Sequence, residues 1–222
     1  KGEDGDFDRV IGTVQDEREY FENRQFIGER TCEGIMRAEF EKDRGSLSGD
    51  DGDKLDKYIE IKKAKGKSEK KAIYEFYNDS AMRMPAIWMA EAHVKAGGKV
   101  YMYYVTAPEA GNGMGVIHAI ELALLFSNRN VLEDGVSFSE EDTSYSIDFE
   151  LKDVIKEMWT NFAKTGDPST DKYAWEPYDT ESRKTMFLGY DIRQVERPLD
   201  EERELLSDML KETKIGLPRQ IC

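Results

Sequence analysis

Cysteine, histidine and proline are scarce in this 222-residue chain, with two, two and six copies. Cys32 and the terminal Cys222 do not make a disulfide framework, so a reducing cytoplasm is the expected compartment. No Cys/His cluster suits zinc, and no cofactor is implied. Basic charge is also short. Thirty-two Lys and Arg against forty-six Asp and Glu leave a formal charge of −14 and a pI near 4.7. A nucleic acid or an anionic membrane surface is therefore not an expected partner. Long apolar runs are missing too: even Gly115–Phe126 is interrupted by His118 and Glu121, so no membrane span is expected. The chain begins at Lys1 rather than methionine, without a signal peptide, and is read as a piece of something longer.

Aromatic residues are plentiful, at eleven tyrosines, ten phenylalanines and three tryptophans. That supply argues against a disordered chain, although the hydrophobic share is a modest 39% and the charged share 35%. The charge concentrates in a loop and helix region, Glu41–Lys71. Within it, the turn formers of Gly45-Ser-Leu-Ser-Gly-Asp-Asp-Gly52 predict a loop, and Leu55, Tyr58, Ile59 and Ile61 a short amphipathic helix. The lysines at 62, 63, 65, 67, 70 and 71 lack interleaved aromatics and read as a solvated face.

Three segments have strand character: Val10–Val14, Lys99–Thr106 and, more weakly, Thr185–Leu188. The second is apolar on both faces, which suits the middle of a sheet. Between them lie helical patterns. Ala72–Ala96 contains Pro85 and is expected to break or kink just before it. In Phe149–Lys164, Leu151, Val154, Ile155, Met158, Trp159 and Phe162 form one stripe, with Asp148 or Ser146 as candidate cap and Gly166 and Pro168 as stop. A last helix is expected near Asp200–Thr213, burying Leu205, Leu206, Met209 and Leu210. Strands separated by long helical stretches predict a parallel α/β sheet. Three strands leave such a sheet incomplete.

His93 lies inside a helical pattern without a ligating partner, and reads as a surface or satisfied helical histidine. His118 follows the buried strand after a glycine-rich loop, Ala110-Gly-Asn-Gly-Met-Gly115, and precedes the helical run Ala119–Phe126. Ligands of open α/β sheets gather at such loops, so His118 is a candidate general base, with a structural role in its own loop as the alternative. The loop's third glycine arrives one residue early for a dinucleotide fingerprint. Asp16 and Glu17 follow the first strand, where a carboxylate suits the acid of a triad or the cap of a following helix. Asp4, Asp6 and Asp8 have calcium-loop spacing, but Arg9 stands where the glycine belongs and no glutamate closes the loop.

Val10-Ile-Gly-Thr-Val-Gln-Asp-Glu-Arg-Glu-Tyr-Phe21 resembles the acid-bearing segment of type-B carboxylesterases, the cholinesterase-like and para-nitrobenzyl esterase family. Arg18 stands where that family has glycine. Gly115-Val-Ile-His-Ala-Ile-Glu-Leu122 resembles its histidine motif, Glu121 included. Trp159–Pro168 and Trp175-Glu-Pro-Tyr178 resemble its C-terminal signature, and Asp79, Met84-Pro85 and Val100–Val105 fall in the family's order. The resemblance runs from about Gly5 to Leu188. It implies the C-terminal portion of an α/β-hydrolase, a single partial domain over 1–222. Glu17 would be the acid and His118 the base, with Glu121 supporting loop or pocket.

The nucleophile that the resemblance implies, a serine in a G-x-S-x-G elbow upstream of the acid, is missing from the sequence. No serine precedes Glu17, and Gly66-Lys-Ser-Glu-Lys70 and Gly45-Ser-Leu-Ser-Gly49 do not fit an elbow. The chain is therefore expected to be an esterase fragment that is inactive alone. Its expected partners are a small-molecule ester in the intact enzyme, and the N-terminal part of that enzyme or a second copy. Alternatives are one half of a split esterase, or a non-catalytic cholinesterase-like binding module. Retention of Glu17 and His118 counts against the module.

Overall fold

Valine, isoleucine and tyrosine place the sheet. In the computed structural model, β1 (Arg9–Val14) and β2 (Val100–Val105) run parallel, with Gly12 opposite Tyr103. A Cβ on Gly12 would lie 2.3 Å from the Tyr103 ring, so the aromatic side chain occupies the space that a second side chain would need. β3 (Thr185–Leu188) pairs parallel with the other side of β2, and β4 (Arg193–Val195) returns antiparallel to β3. The order β1-β2-β3-β4 makes β2 a central strand, buried at every position but Tyr104. This is the α/β arrangement expected, with few and mostly parallel strands. β4 is an addition: Arg193, Gln194 and Val195 show no apolar alternation. Gln194 joins it to the chain, donating to the Glu176 carbonyl at 2.7 Å and accepting from the Glu176 N–H at 3.0 Å.

The structure describes residues 7–18, 32–47, 49–107, 115–126 and 145–210, with backbone alone for 32–36 and 145–150. The chain groups into two compact units, Lys1–Glu17 with Ala86–Pro198, and Arg18–Pro85 with Leu199–Cys222.

The first unit holds the sheet. Tyr101 and Tyr103, alternate residues on one face of β2, receive a helix that runs from Tyr145 to Thr165. Trp159 meets Tyr103 edge-on at 5.2 Å, Phe162 meets Tyr101 at 5.9 Å, and Trp175 lies 6.1 Å from Tyr101. Ile155 and Met158 of this helix are fully buried, each contributing about 2 kcal/mol of apolar transfer energy. The helix begins before both expected caps, so Ser146 and Asp148 are internal to it. It ends as expected at Gly166, whose φ of 77° suits a left-handed cap and whose N–H donates to the Phe162 carbonyl at 2.8 Å. His93 is 3% exposed and satisfied at both nitrogens: Arg9 Nε donates to Nδ1 at 3.2 Å, and Nε2 bonds the Phe7 carbonyl at 2.8 Å.

The second unit is helical: α1 (Cys32–Ser46), α2 (Asp50–Ala64), α3 (Glu69–Asn78) and a C-terminal helix, Asp200–Leu210. Phe76 is its fully buried centre, with Phe40, Tyr58 and Tyr77 edge-on around it at 5.1–6.2 Å. Most of the predicted Gly45–Gly52 loop is helix instead. Asp50, Asp51 and Asp53 in the first turn of α2, with Lys62 and Lys63 in its last, complement the helix dipole. Lys62 corrects the solvated-lysine reading, being 4% exposed. The expected disturbance before Pro85 is a π-helical turn, Asp79–Arg83, between α3 and a helix over Met84–Lys95. A proline there has no N–H for the ordinary helical bond, and a widened turn accommodates the lost bond. Among the described residues, no helix is long and apolar enough to cross a membrane.

Candidate active site

β1 and β2 are parallel, so the segments leaving them emerge at the same end of the sheet. Glu17 follows β1, and His118 lies in the connection between β2 and the short helix Ile120–Phe126. The two are 101 residues apart in sequence, yet His118 Nδ1 is 2.5 Å from Glu17 Oε2. The other carboxylate oxygen, Oε1, accepts the Val14 N–H at 2.9 Å. Glu17 is thus fixed at both oxygens while only 6% exposed. The bond to Glu17 raises the His118 pKa above the ordinary imidazole value, outweighing the opposing effect of burial. With Nδ1–H donated to the carboxylate, Nε2 carries the lone pair of the neutral ring. The His118 side chain is 42% exposed, so the ring remains accessible.

Glu121 is one turn further on. Its Oε1 accepts a hydrogen bond from Tyr103 OH at 3.3 Å, which ties the beginning of the helix Ile120–Phe126 to β2. Burial raises the Glu121 pKa, and the negative charge of Glu17 raises it further. Oε2 of Glu121 is buried without a hydrogen-bond partner.

From sequence, Asp16 reads as an acid or a cap. Its carboxylate accepts the Val116 N–H at 2.8 Å, and its own N–H donates to the Val116 carbonyl at 2.8 Å. Asp16 lies two residues past the end of β1, and its partner is a main-chain N–H, so no residue type in the sequence points to this bond. Gly115 has φ 72°, and a Cβ on it would fall 2.3 Å from Asp16 Oδ2. Residues 110–114 of the glycine-rich loop, and Asp4 and Asp6, lie outside the described residues. Among the described residues, no group of three or more His, Cys, Asp or Glu is placed to hold a metal ion.

This architecture is shared with solved esterases. Over 89% of its length the chain superposes on a thermophilic PNB esterase with a TM-score of 0.62 and 28% identity, covering 38% of that structure. A Geobacillus stearothermophilus carboxylesterase superposes with a TM-score of 0.66 at 18% identity, a likeness of fold alone. The fold is that of part of an α/β-hydrolase.

The Carboxylesterase family model matches residues 3–205, and the chain belongs to that family. It is similar to the para-nitrobenzyl esterase of Bacillus subtilis (strain 168), at 35% identity over 89 residues, which are 40% of this chain and 17% of that protein. Acetylcholinesterase 1 of Caenorhabditis elegans is 31% identical over 108 residues, 44% of this chain and 16% of the relative. The matches therefore span well under half the length of these relatives.

Proposed function

We propose that this chain carries the acid and the base of a serine carboxylesterase, Glu17 and His118, and that the nucleophile and oxyanion hole come from an upstream part of the enzyme. The observation that carries the reading is the 2.5 Å contact between Glu17 Oε2 and His118 Nδ1, at the end of the sheet where the two parallel strands finish. In the complete site, His118 Nε2 takes the proton of the serine hydroxyl as the serine attacks the ester carbonyl. Glu17 stabilises the imidazolium, which then protonates the leaving alkoxide. Water cleaves the acyl-enzyme by the same proton relay. Because the His118 pKa is raised, activity rises with pH as the imidazolium loses its proton.

Two serines near the sheet are engaged in turns: Ser169 Oγ accepts the Trp175 N–H at 3.0 Å, and Ser182 donates to Asp179. Neither suits a nucleophile. β1 stands at the margin of the described sheet, which supports docking of an upstream segment there. The substrate is a small carboxylic ester.

The test is p-nitrophenyl acetate hydrolysis by this chain beside its His118→Ala variant at neutral pH. The chain alone should be no faster than the variant. A rate lost in the variant would place a nucleophile within these 222 residues and overturn the reading.

A further inference from the structure

A 2.5 Å contact between side chains 101 residues apart requires the two backbones to be held closely together. Glu17 and His118 each retain rotatable bonds, so the register must come from the segments that bear them. Asp16 lies where those segments meet. It is 1% exposed, and it bonds Val116 twice, through its N–H and through Oδ2, both at 2.8 Å. It also makes a single-residue parallel bridge with Ile117. The next residue on one segment is Glu17, and the next on the other is His118. Gly115 completes the arrangement, because its missing side chain leaves room for the Asp16 carboxylate.

We infer that Asp16 is a positioning residue, whose carboxylate and main chain fasten the His118 segment to the end of β1 so that the Glu17–His118 contact is preformed. This rests on reading Glu17 and His118 as acid and base, and it assigns Asp16 no contact with substrate. The interaction is specific in what it needs: an acceptor at Oδ2 and no Cβ at residue 115. Val116 is fully buried, so removing the acceptor strands its N–H away from water. The segment then has reason to shift, and His118 with it.

The readout is the proton on His118 Nδ1, followed by NMR in the unmodified chain and in variants. A short bond to a carboxylate gives this proton a far-downfield signal, which Glu17→Gln should abolish. Asp16→Ala should lose the same signal and lower the His118 pKa towards about 6.5, while Asp16→Asn, which keeps an acceptor oxygen, should restore both. Gly115→Ala, which leaves Asp16 in place but crowds its carboxylate, should behave as Asp16→Ala. Glu121 also acts on the His118 charge, but it is unchanged throughout the series.

A folded Asp16→Ala or Gly115→Ala variant that keeps the wild-type signal would overturn the inference. Should neither variant fold, hydrogen exchange at the Val116 amide of the unmodified chain decides: protection supports the bond to Asp16, and rapid exchange overturns it. Failure of the acid and base reading is distinct, since the signal would then be absent from the wild-type chain or survive Glu17→Gln.

Discussion

In the first unit the buried side chains around the sheet are mostly apolar and aromatic, and the ion pair Glu17–His118 sits where the strands finish, with the imidazole side chain 42% exposed. In the helical unit an ionic cluster is sealed inside. Lys62 Nζ lies 2.9 Å from Glu75, 3.3 Å from Glu202 and 3.7 Å from Asp79. Asp79 also accepts from Arg83 at 2.8 Å and from Tyr58 OH at 2.7 Å. Lys65 and Lys67 reach Glu202 and Glu75 from the outside. The comparison separates two uses of charge. A half-exposed pair can exchange protons with a substrate, whereas an enclosed cluster has no access and serves to fix which helix faces meet. Burying such charges is costly, and only mutual pairing and hydrogen bonds offset the loss of water.

The largest effect should therefore come from the enclosed cluster. Lys62→Met preserves the length of the side chain but leaves Glu75, Asp79 and Glu202 without their common cation. Breaking a buried pair on one side costs about 3–5 kcal/mol, whereas Glu17→Gln, which keeps an acceptor oxygen beside an imidazole that reaches solvent, should cost less, about 1–3 kcal/mol. Urea unfolding of both variants would measure the difference. Equal losses would mean that the two pairs carry similar structural weight, and the distinction would not hold.

Charge burial is also where the sequence was least legible. Lys62 belongs to a run of six lysines that reads as one solvated face. What separates it from its neighbours is helical phase: it shares the inward face of α2 with Leu55 and Tyr58. Its acidic partners come from α3, the π-turn and the C-terminal helix, none of them local in sequence. The strands were legible because β-branched and aromatic residues cluster there, and the expected bounds, Val10–Val14, Lys99–Thr106 and Thr185–Leu188, lie close to the observed Arg9–Val14, Val100–Val105 and Thr185–Leu188. β4 was not, because its pairing depends on the β3 edge and on Gln194 rather than on apolar pattern. At the site, Glu17 and His118 stand out in the sequence by their places after two strands and then by motif resemblance. The bond from Asp16 to Val116 was not legible, because its partner is a main-chain N–H, which no residue type advertises.

A second, smaller contrast concerns pH. For Asp79, burial alone would raise the pKa, but Arg83 and Lys62 outweigh it and hold the carboxyl below its ordinary value. For Glu202, Lys65 and Lys62 likewise overcome burial. A pKa lowered on folding gives stability that is present above the unfolded value and is lost as pH falls through the folded one. His118 has the opposite sign: its raised pKa gives stability that is complete below about 6.5 and fades as pH rises through the folded value. The urea midpoint should therefore decline on both sides of a plateau. Lys62→Met should flatten the acid limb, and His118→Ala the limb at and above neutrality. If His118→Ala flattened the acid limb instead, the assignment of sign to unit would be wrong.

The smallest effect compares two helix starts. Ala119 precedes the helix Ile120–Phe126 with φ 65°, and Leu199 precedes the C-terminal helix with φ 53°. Both occupy the left-handed region that L-residues with a Cβ enter at a cost of about 1 kcal/mol. Glycine removes that cost but adds freedom to the unfolded chain, so the balance depends on what the lost side chain was doing. At Ala119 only a methyl is lost, and Ala119→Gly should raise stability by up to about 1 kcal/mol. At Leu199 a partly buried side chain is lost, and the relief of strain should be cancelled or reversed. Thermal unfolding of the two variants gives the comparison, and the downfield His118 signal should survive Ala119→Gly. A loss of that signal would mean that the left-handed residue beside His118 holds the ring in place, and that its strain belongs to the site rather than to the helix start.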